Sequence, residues 1–263
     1  MVENHFVLVV VAASVGTFIS LIAAAWLSFN SLSKLLDPMV SVSAGVLLGT
    51  ALLHLMPESL DRGLDYHTAF RWLLAGLLLF FVLEKFSIWR HSHHHEHDGH
   101  HHEHGFDRRE AGKGGGLIVL GDALHNFCDG VLIASAFMVD VKLGLVTAVS
   151  VALHEIPQQT GNFLVLLNAG IQRRKAFILM SLAGLGAILG AALGYTLFQT
   201  IETLLPYALV LAAASFLYVA VADLIPHMQQ RFRLKEGISQ FLFVLLGLGV
   251  VSFASSLLHG HPH

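Results

Sequence analysis

Two short polar runs inside long apolar stretches contain the residues best suited to bind a metal ion. In each run these residues occupy positions i, i+1 and i+4, and together they are His125, Asn126, Asp129, His154, Glu155 and Gln158. Residues four apart lie on one face of a helix, one turn above each other. Imidazole, carboxylate and amide groups suit a borderline divalent cation. Two such runs on consecutive helices therefore predict one metal site shared between them.

A buried polar cluster that only holds helices together is the alternative, since Asn and His can hydrogen-bond across a membrane bundle. Asp129 needs a counter-charge at membrane depth, and its apolar stretch offers no Lys or Arg. Pro157 frees the carbonyl of Leu153 four residues earlier, which is tolerated in lipid where it lines a cavity or a site. A proline alone would favour a packing kink, but together with Glu155 at the same depth, and with the unpaired Asp129, it favours a bound cation.

The composition identifies the class of protein. Charged residues make up 13% of the 263 residues and hydrophobic residues 55%. A soluble protein carries about 25% charged residues, so the composition excludes an ordinary soluble domain. We expect the lipid bilayer and divalent metal ions as partners, and neither nucleic acid nor an organic cofactor. Cys128 is the only cysteine, so no disulfide can form within the chain.

Eight apolar segments are each near the ~20 residues that a helix needs to cross a bilayer. They run approximately over residues 6–28, 38–57, 69–88, 117–139, 144–168, 176–198, 206–226 and 238–258. They lack the period-two alternation of barrel strands, and only helices or closed barrels span lipid. The sequence therefore predicts an all-α fold, a polytopic membrane protein with eight transmembrane helices. The first segment is expected to be a retained span, because no Lys or Arg precedes it.

Positive charges orient these segments. With the amino terminus outside, all but three of the 15 Lys and Arg residues fall on inner loops or inner helix ends. This bias places both termini outside the cytoplasm. His125 then lies ~12 Å above the inner end of the fourth segment, and His154 ~15 Å below the outer end of the fifth. In a hydrocarbon slab of ~30 Å both lie near the midplane, so the two polar runs can meet.

A similar five-residue string occurs near the end of the second and of the seventh segment. His54-Leu55-Met56-Pro57-Glu58 and Asp223-Leu224-Ile225-Pro226-His227 both read polar, two apolar, proline, polar. The second segment runs outward and the seventh inward, as an inverted repeat of three helices on each side of a central pair requires. The candidate pathway residues are His54, Glu58, Asp223 and His227. Ordinary polar side chains that reach interfacial water are the alternative.

Residues 89–116 form the one long hydrophilic segment, and its low-complexity composition predicts disorder. On the topology above, this segment is a cytoplasmic loop. Clustered imidazoles can capture metal ions. The candidates are His93, His94, His95, His97, His100, His101, His102 and His104.

At these motifs the chain resembles the Zrt/Irt-like (ZIP) family of divalent-metal transporters. The match is carried by His125-Asn126-Phe127-Cys128-Asp129-Gly130 and by His154-Glu155-Ile156-Pro157-Gln158. The two proline strings and the histidine-rich loop support it. The resemblance implies an eight-helix, three-plus-two-plus-three inverted-repeat bundle that forms a single transport domain over residues 1–263. It also implies that zinc, or iron, manganese, cobalt, nickel or cadmium, binds between the fourth and fifth helices and moves toward the cytoplasm.

Members of this family can hold two adjacent metals. Carried over by position, one metal would contact His125, Asp129, His154 and Gln158, and the other Asn126, Asp129 and Glu155. The chain departs from the family pattern at Gln159 and Asn162, where the branch has Glu and Asp, and at His227, where Glu is usual. The sixth segment also has no carboxylate between Ala176 and Gln199. With fewer anionic ligands, a second permanently bound metal is not expected.

The predicted function is therefore transport of zinc without covalent chemistry, in the plasma membrane or a bacterial inner membrane. A homodimer is compatible with this function. An intramembrane zinc metalloprotease is the first alternative, because His154-Glu155-x-x-Gln158 differs by one residue from the HExxH string of metalloproteases. A metal sensor or storage protein built around the histidine-rich loop is the second.

Overall fold

The computed structural model describes residues 2–29, 36–92, 108–229 and 234–258. Within these ranges nearly every residue is helical and no β-strand occurs, so the all-α prediction is confirmed. The helices are α1 (Val2–Phe29), α2 (Leu36–Thr50), α3 (Met56–Asp61), α4 (Tyr66–Ser92), α5 (Arg108–Val139), α6 (Val141–Asn168), α7 (Arg173–Thr200), α8 (Leu205–Tyr218), α9 (Ile225–Gln229) and α10 (Leu234–Leu258). π-helical turns at Ala51–Leu55 and Val219–Leu224 join α2 to α3 and α8 to α9.

Several of these helices are long and apolar enough to span a membrane. Five stretches of the described residues are long and apolar enough to cross one: His5–Phe29, Asp37–Asp61, Arg173–Thr200, Glu202–Ala222 and Glu236–Phe253. The predicted fourth and fifth segments correspond to α5 and α6, which are not among the five. These two helices carry the polar runs, which lower their hydropathy. Polar side chains of this kind face the interior of a bundle rather than lipid.

The hydrophilic segment predicted over 89–116 is shorter in the structure. α4 continues to Ser92 and α5 begins at Arg108, so residues 112–116 lie within a helix. The prediction of disorder was therefore wrong for residues 89–92 and 108–116. Extending an existing helix adds a hydrogen bond for each residue, which offsets the ~1 kcal/mol that each glycine costs. The eight candidate histidines of the loop lie outside the described residues.

Neither of the two prolines near segment ends stops its helix. Pro57 and Pro226 have no amide hydrogen to donate to the preceding turn, and each lies two residues after a π-helical turn. Such a turn accommodates one extra residue within a helix. The second span therefore continues to Asp61, beyond its predicted end at residue 57. The two proline strings thus share their local geometry as well as their sequence pattern.

Glycines bring α5 and α7 into the most extensive helix–helix contact of the described residues. A Cβ atom on Gly190 would lie 2.0 Å from the backbone oxygen of Phe127, and one on Gly130 would lie 2.0 Å from that of Ala187. Residues without a side chain allow two helix backbones to approach this closely. The position of α5, and of the polar run it carries, is therefore set by backbone contact with α7.

The other contacts divide the helices into two groups. α1, α5, α6 and α7 pack on one another, whereas α2 packs on α10 and α4 packs on α8. The groups meet where α2 contacts α6 and where α8 contacts α5. A single residue, Asp140, connects α5 to α6 and caps α6 by accepting a hydrogen bond from the Lys142 amide at 3.2 Å. This short connection makes α5 and α6 antiparallel neighbours, which brings their polar runs to the same level.

Candidate metal centre

His125, Asp129 and His154 converge on one point between α5 and α6. Oδ2 of Asp129 lies 3.5 Å from Nε2 of His125 and 3.3 Å from Nε2 of His154. The two imidazole nitrogens are 3.4 Å apart. These are the described His, Cys, Asp and Glu residues that come close enough together to hold one ion. We refer to the three residues as the metal triad.

The separations within the metal triad match those of a tetrahedral zinc site. Zinc binds imidazole nitrogen and carboxylate oxygen at about 2.0–2.2 Å, which puts neighbouring ligand atoms about 3.3–3.5 Å apart. Three protein ligands leave a fourth position for water or another side chain. The triad can therefore hold a divalent ion without rearrangement of its side chains.

Ser150 sets the orientation of the His154 ring. The backbone oxygen of Ser150 lies 3.1 Å from Nδ1 of His154, and because this oxygen can only accept, Nδ1 carries the hydrogen. With the hydrogen on Nδ1, Nε2 is the nitrogen that can bind a metal ion, and it points toward Asp129. Both carboxylate oxygens of Asp129 are buried without a hydrogen-bond partner. A cation between these atoms would neutralise the carboxylate and satisfy the lone pairs.

His125 is the accessible member of the triad. Its side chain is 18% exposed, compared with 1% for Asp129 and His154. In this conformation an ion can therefore approach the triad from the side of His125. Cys128, which is half-buried next to Asp129, is not part of the triad.

The other three predicted ligands surround Asp122, a residue that the sequence analysis did not include. Nδ2 of Asn126 donates to the backbone oxygen of Asp122 at 2.9 Å and to its Oδ2 at 3.3 Å. Gln158 lies near the same carboxylate. Glu155 accepts a hydrogen bond from Gln159 and interacts electrostatically with Asp122. Asn126, Glu155 and Gln158 are therefore grouped apart from the three residues of the triad.

Asn162 completes this second group. Its Nδ2 donates to Oδ1 of Asp122 at 2.8 Å, which links α6 to α5. Asp122, Glu155 and Gln159 are buried, and Gln158 and Asn162 are half-buried. We call the six residues the Asp122 cluster: Asp122, Asn126, Glu155, Gln158, Gln159 and Asn162.

Residue spacing could have identified Asp122. It precedes Asn126 by four positions and Asp129 by seven, and positions i, i+4 and i+7 share one face of a helix. Asn162 follows Gln158 by four positions in the same way. The first motif string begins after Asp122 and the second ends before Asn162, so neither string contains these residues.

The backbone carbonyl of Leu153, which Pro157 leaves without a helical hydrogen bond, accepts one from another helix. The hydroxyl of Ser43, on α2, donates to the backbone oxygen of Leu153 at 2.8 Å. A cavity of about 170 Å³ lies against this contact and is lined by Pro38, Met39, Val42, Ser43 and Leu153. The hydrogen bond therefore joins the two helix groups one residue away from His154.

Replacing Ser43 with alanine should lower the stability of the protein by about 1–3 kcal/mol, the cost of leaving a buried acceptor unsatisfied. The melting temperature of the purified protein in detergent measures this effect. Ser14→Ala is the matched control, because the hydroxyl of Ser14 donates at 2.7 Å to Val10 of its own helix. Equal melting temperatures for the two variants would contradict the role of Ser43.

The four candidate pathway residues differ in their surroundings. His54 is buried within the first π-helical turn. Glu58 is half-buried, and its Oε1 forms a salt bridge of 2.9 Å with Nε of Arg62. The side chains of Asp223 and His227 lie outside the described residues. Neither His54 nor Glu58 belongs to the metal triad.

Comparison with known proteins was made for the whole chain. A profile of the family described as "ZIP Zinc transporter" matches residues 4–114 and 90–255. The chain is similar to the zinc transporter ZIP13 of Pongo abelii, with 29% identity over 265 residues that cover 94% of this chain and 72% of that protein.

Two further relatives match a shorter region. The zinc transporter ZIP6 of Homo sapiens is 34% identical over 150 residues, which cover 54% of this chain and 20% of that protein. The zinc transporter ZIP10 of Danio rerio is 32% identical over 142 residues, which cover 51% of this chain and 17% of that protein. The matched region is thus no more than about a fifth of these two proteins.

Proposed function

The chain belongs to the ZIP zinc transporter family, and from this premise we propose that it carries zinc across a membrane by binding the ion at the metal triad. It is a multi-pass membrane protein and a zinc transporter, not an enzyme. Neither an intramembrane metalloprotease nor a metal sensor is supported by the comparisons. What we add to the family assignment is the set of residues that hold the ion and the way in which they hold it.

The observation that carries the proposal is the spacing of the three ligand atoms of the triad. A structural cluster of polar residues would pair donors with acceptors. Here Oδ2 of the buried Asp129 carboxylate lies 3.3 Å from Nε2 of His154, and neither carboxylate oxygen accepts a hydrogen bond from the described residues. One carboxylate and two neutral imidazoles leave part of the charge of a divalent ion uncompensated, so the ion is held less firmly than in a structural zinc site with thiolate ligands. Such a site suits an ion that must also be released.

We further propose eight membrane-spanning helices arranged three, two and three in one transport domain over residues 1–263. In this arrangement α2 with α3 forms one span, and α8 with α9 forms another. The prolines and π-helical turns that these two spans share support an inverted repeat. The distribution of Lys and Arg supports a location of both termini outside the cytoplasm. The membrane would be the plasma membrane or a bacterial inner membrane, and a homodimer is compatible with the arrangement.

Zinc moves toward the cytoplasm in this proposal, through a site that opens alternately to each side. His54, Asp223 and His227 are the candidates for contacts along the path, whereas the salt bridge to Arg62 favours a structural role for Glu58. The histidines of the 93–104 region would capture metal on the cytoplasmic side. Because imidazole and carboxylate ligands also accept iron, manganese, cobalt, nickel and cadmium, these ions are candidate further substrates.

Uptake into proteoliposomes tests the proposal. Purified protein should admit Zn²⁺ above the level of protein-free vesicles, as read by an indicator trapped inside. The same assay with the other five ions defines the selectivity. Uptake that persists unchanged in a His154→Ala variant would exclude the triad as the transport site while leaving the family assignment intact.

Deleting residues 93–104 should leave most of the zinc flux, because the metal triad consists of residues on α5 and α6 and includes none of the deleted histidines. Initial rates of uptake at saturating zinc measure this effect. The prediction fails if the deletion variant is folded, as judged by its melting temperature, but no longer transports zinc.

A further inference from the structure

We propose that Thr147, together with the hydrogen-bonded pair Thr50 and Ser150, lines the route by which a divalent cation reaches the metal triad from the outer side. This proposal deepens the transport function above and rests on it. Thr50 is the last residue of α2, whereas Thr147 and Ser150 lie on α6. We refer to these three residues as the hydroxyl route.

The hydroxyl route continues the face of α6 on which His154 lies. Thr147 precedes His154 by seven positions and Ser150 precedes it by four, and residues with these spacings share one face of a helix. α6 begins at Val141, which is its outer end in the proposed topology. Thr147 therefore lies ~10 Å from His154 toward the outer side, and Ser150 lies ~6 Å from it in the same direction. An ion that moves inward along this face passes both hydroxyls before it reaches the triad.

The hydroxyl of Thr147 is buried and has no hydrogen-bond partner in the described part of the chain. Other hydroxyls of α6 are bonded to their own helix. Ser150 donates to the backbone oxygen of Val146 at 2.8 Å. Thr160 donates to that of Ile156 at 2.6 Å. A buried hydroxyl without a partner costs free energy, so a residue needed only for packing would be better apolar at position 147.

Thr50 adds a third hydroxyl from the neighbouring helix. Its Oγ1 lies 2.8 Å from Oγ of Ser150 in the buried contact of α2 with α6. A serine hydroxyl has one hydrogen, and that of Ser150 is donated to Val146, so Thr50 is the donor of this bond. A donor does not use its lone pairs. Both lone pairs of the Thr50 oxygen are therefore left over by this bond for a cation or its water.

In this conformation the hydroxyl route is closed. Thr50, Thr147 and Ser150 are buried. His125, which precedes Asp129 by one turn on the inner side in the proposed topology, is 18% exposed. The triad is thus accessible from the inner side and shut toward the outer side. A site with alternating access opens to the outer side in its other state, and there the hydroxyl of Thr147 gains the partners that it lacks here.

Hydroxyl oxygens suit the passage of an ion rather than its storage. Each oxygen has two lone pairs and no net charge. It can replace a water molecule of the hydrated ion, but it holds the ion less firmly than the carboxylate of Asp129. Conduction requires binding that is favourable enough for entry and weak enough for release. The neutral hydroxyls can therefore hand the ion to the charged triad.

The first π-helical turn extends the hydroxyl route toward the outer face. The turn begins directly after Thr50 and contains His54, and α2 runs outward in the proposed topology. His54 on one helix and Thr147 on the other are therefore each about one turn outward from the bonded pair. π-helical turns occur frequently at functional sites. The hydroxyl route thus connects the candidate pathway residue His54 to the triad.

Thr147→Val is the first test, because valine keeps the shape of threonine and removes the oxygen. The melting temperature in detergent should not fall, since no hydrogen bond among the described residues is lost. The visible spectrum of Co²⁺ bound at the triad should not change. The initial rate of uptake at low zinc should nevertheless fall about threefold to tenfold, the factor that one lost hydrogen bond corresponds to.

Thr160→Val is the matched control for this variant. Thr160 is a buried threonine of the same helix, but it lies on the other side of His154 along the chain. Its replacement should leave most of the uptake. Unchanged uptake by Thr147→Val, or an equal loss in both variants, would overturn the hydroxyl route.

A cysteine at position 147 gives a second readout that does not depend on a rate. In a Cys128→Ser background, Thr147→Cys introduces the only thiol of the full chain. A positively charged, membrane-impermeant methanethiosulfonate added outside intact cells should modify this thiol and stop zinc uptake. Thr160→Cys in the same background should remain unmodified. Zinc uptake by Thr147→Cys without modification would overturn the proposal, whereas absence of uptake by the unchanged protein would instead contradict the proposed function.

Discussion

Replacing Asp129 with alanine should abolish zinc uptake while the protein still reaches the membrane. Asp129 supplies the only carboxylate of the metal triad and lies within 3.5 Å of both imidazole nitrogens. Loss of an outer-shell partner alone costs about 10–100-fold in metal affinity, and loss of a direct anionic ligand should cost more. The alanine removes a buried carboxylate whose oxygens have no hydrogen-bond partner among the described residues, so we expect the bundle to fold. Zinc uptake by proteoliposomes with equal amounts of protein measures the effect.

Cys128→Ser is the matched control for this variant. Cys128 is adjacent in sequence and half-buried, but it is not part of the triad, so its replacement should leave most of the uptake. Asp129→Asn should resemble the alanine variant, because an amide keeps the shape of the carboxylate but not its charge. Uptake at the level of the unchanged protein by either Asp129 variant would refute the assignment of the triad.

Replacing Gly190 with alanine should also remove most of the activity, although this residue does not contact an ion. The added Cβ would lie 2.0 Å from the backbone oxygen of Phe127 and 2.9 Å from its carbonyl carbon. Backbone atoms in the middle of a helix cannot rotate away, so α5 and α7 must separate by more than about 1 Å to restore ordinary contact. Overpacking of this kind costs typically 1–3 kcal/mol. The displaced part of α5 carries His125 and Asp129, so the triad should lose its geometry as well.

The melting temperature and the zinc flux of the Gly190→Ala variant measure these two effects. Gly249→Ala on α10 is the control, because no atom lies within 4 Å of its added Cβ. That variant should be as stable as the unchanged protein or slightly more stable, since alanine is the better helix former. If Gly190→Ala is as stable and as active as Gly249→Ala, the close contact of α5 and α7 does not position the site.

The class of fold and the core of the site could be predicted from residue type and spacing. Long apolar blocks allow only helices, and His125, Asp129 and His154 meet because two antiparallel helices place them at one depth. Spacing along a single helix could not predict which of the other candidate ligands lie at the metal triad and which lie at Asp122. Asn126 and Asn162 have donors as well as acceptors, and in the fold the buried carboxylate of Asp122 takes their hydrogen bonds.

The ends of the helices were also not predicted correctly from the local sequence. A proline predicts a break, but Pro57 lies inside a continuous span because the preceding turn absorbs the missing hydrogen bond. The glycine-rich run 112–116 predicts flexibility, but it lies within α5. In both cases the continuation of a helix outweighs the preference of single residues. The hydrogen bond to the backbone oxygen of Leu153 is donated by Ser43, which is 110 positions away in the chain. The presence of Pro157 alone could not identify this donor.

The first π-helical turn also determines which way the last residues of its span point. One additional residue rotates everything that follows by about 100° relative to an uninterrupted helix. His54 and Glu58 would otherwise share a face, yet His54 is buried and Glu58 is half-buried against Arg62. Omitting one amino acid from 51–55 would convert the π-helical turn into a regular α-helical turn, and Glu58 and Arg62 would keep their direction. The direction of this helix end therefore depends on whether the extra residue is accommodated by a π-helical turn.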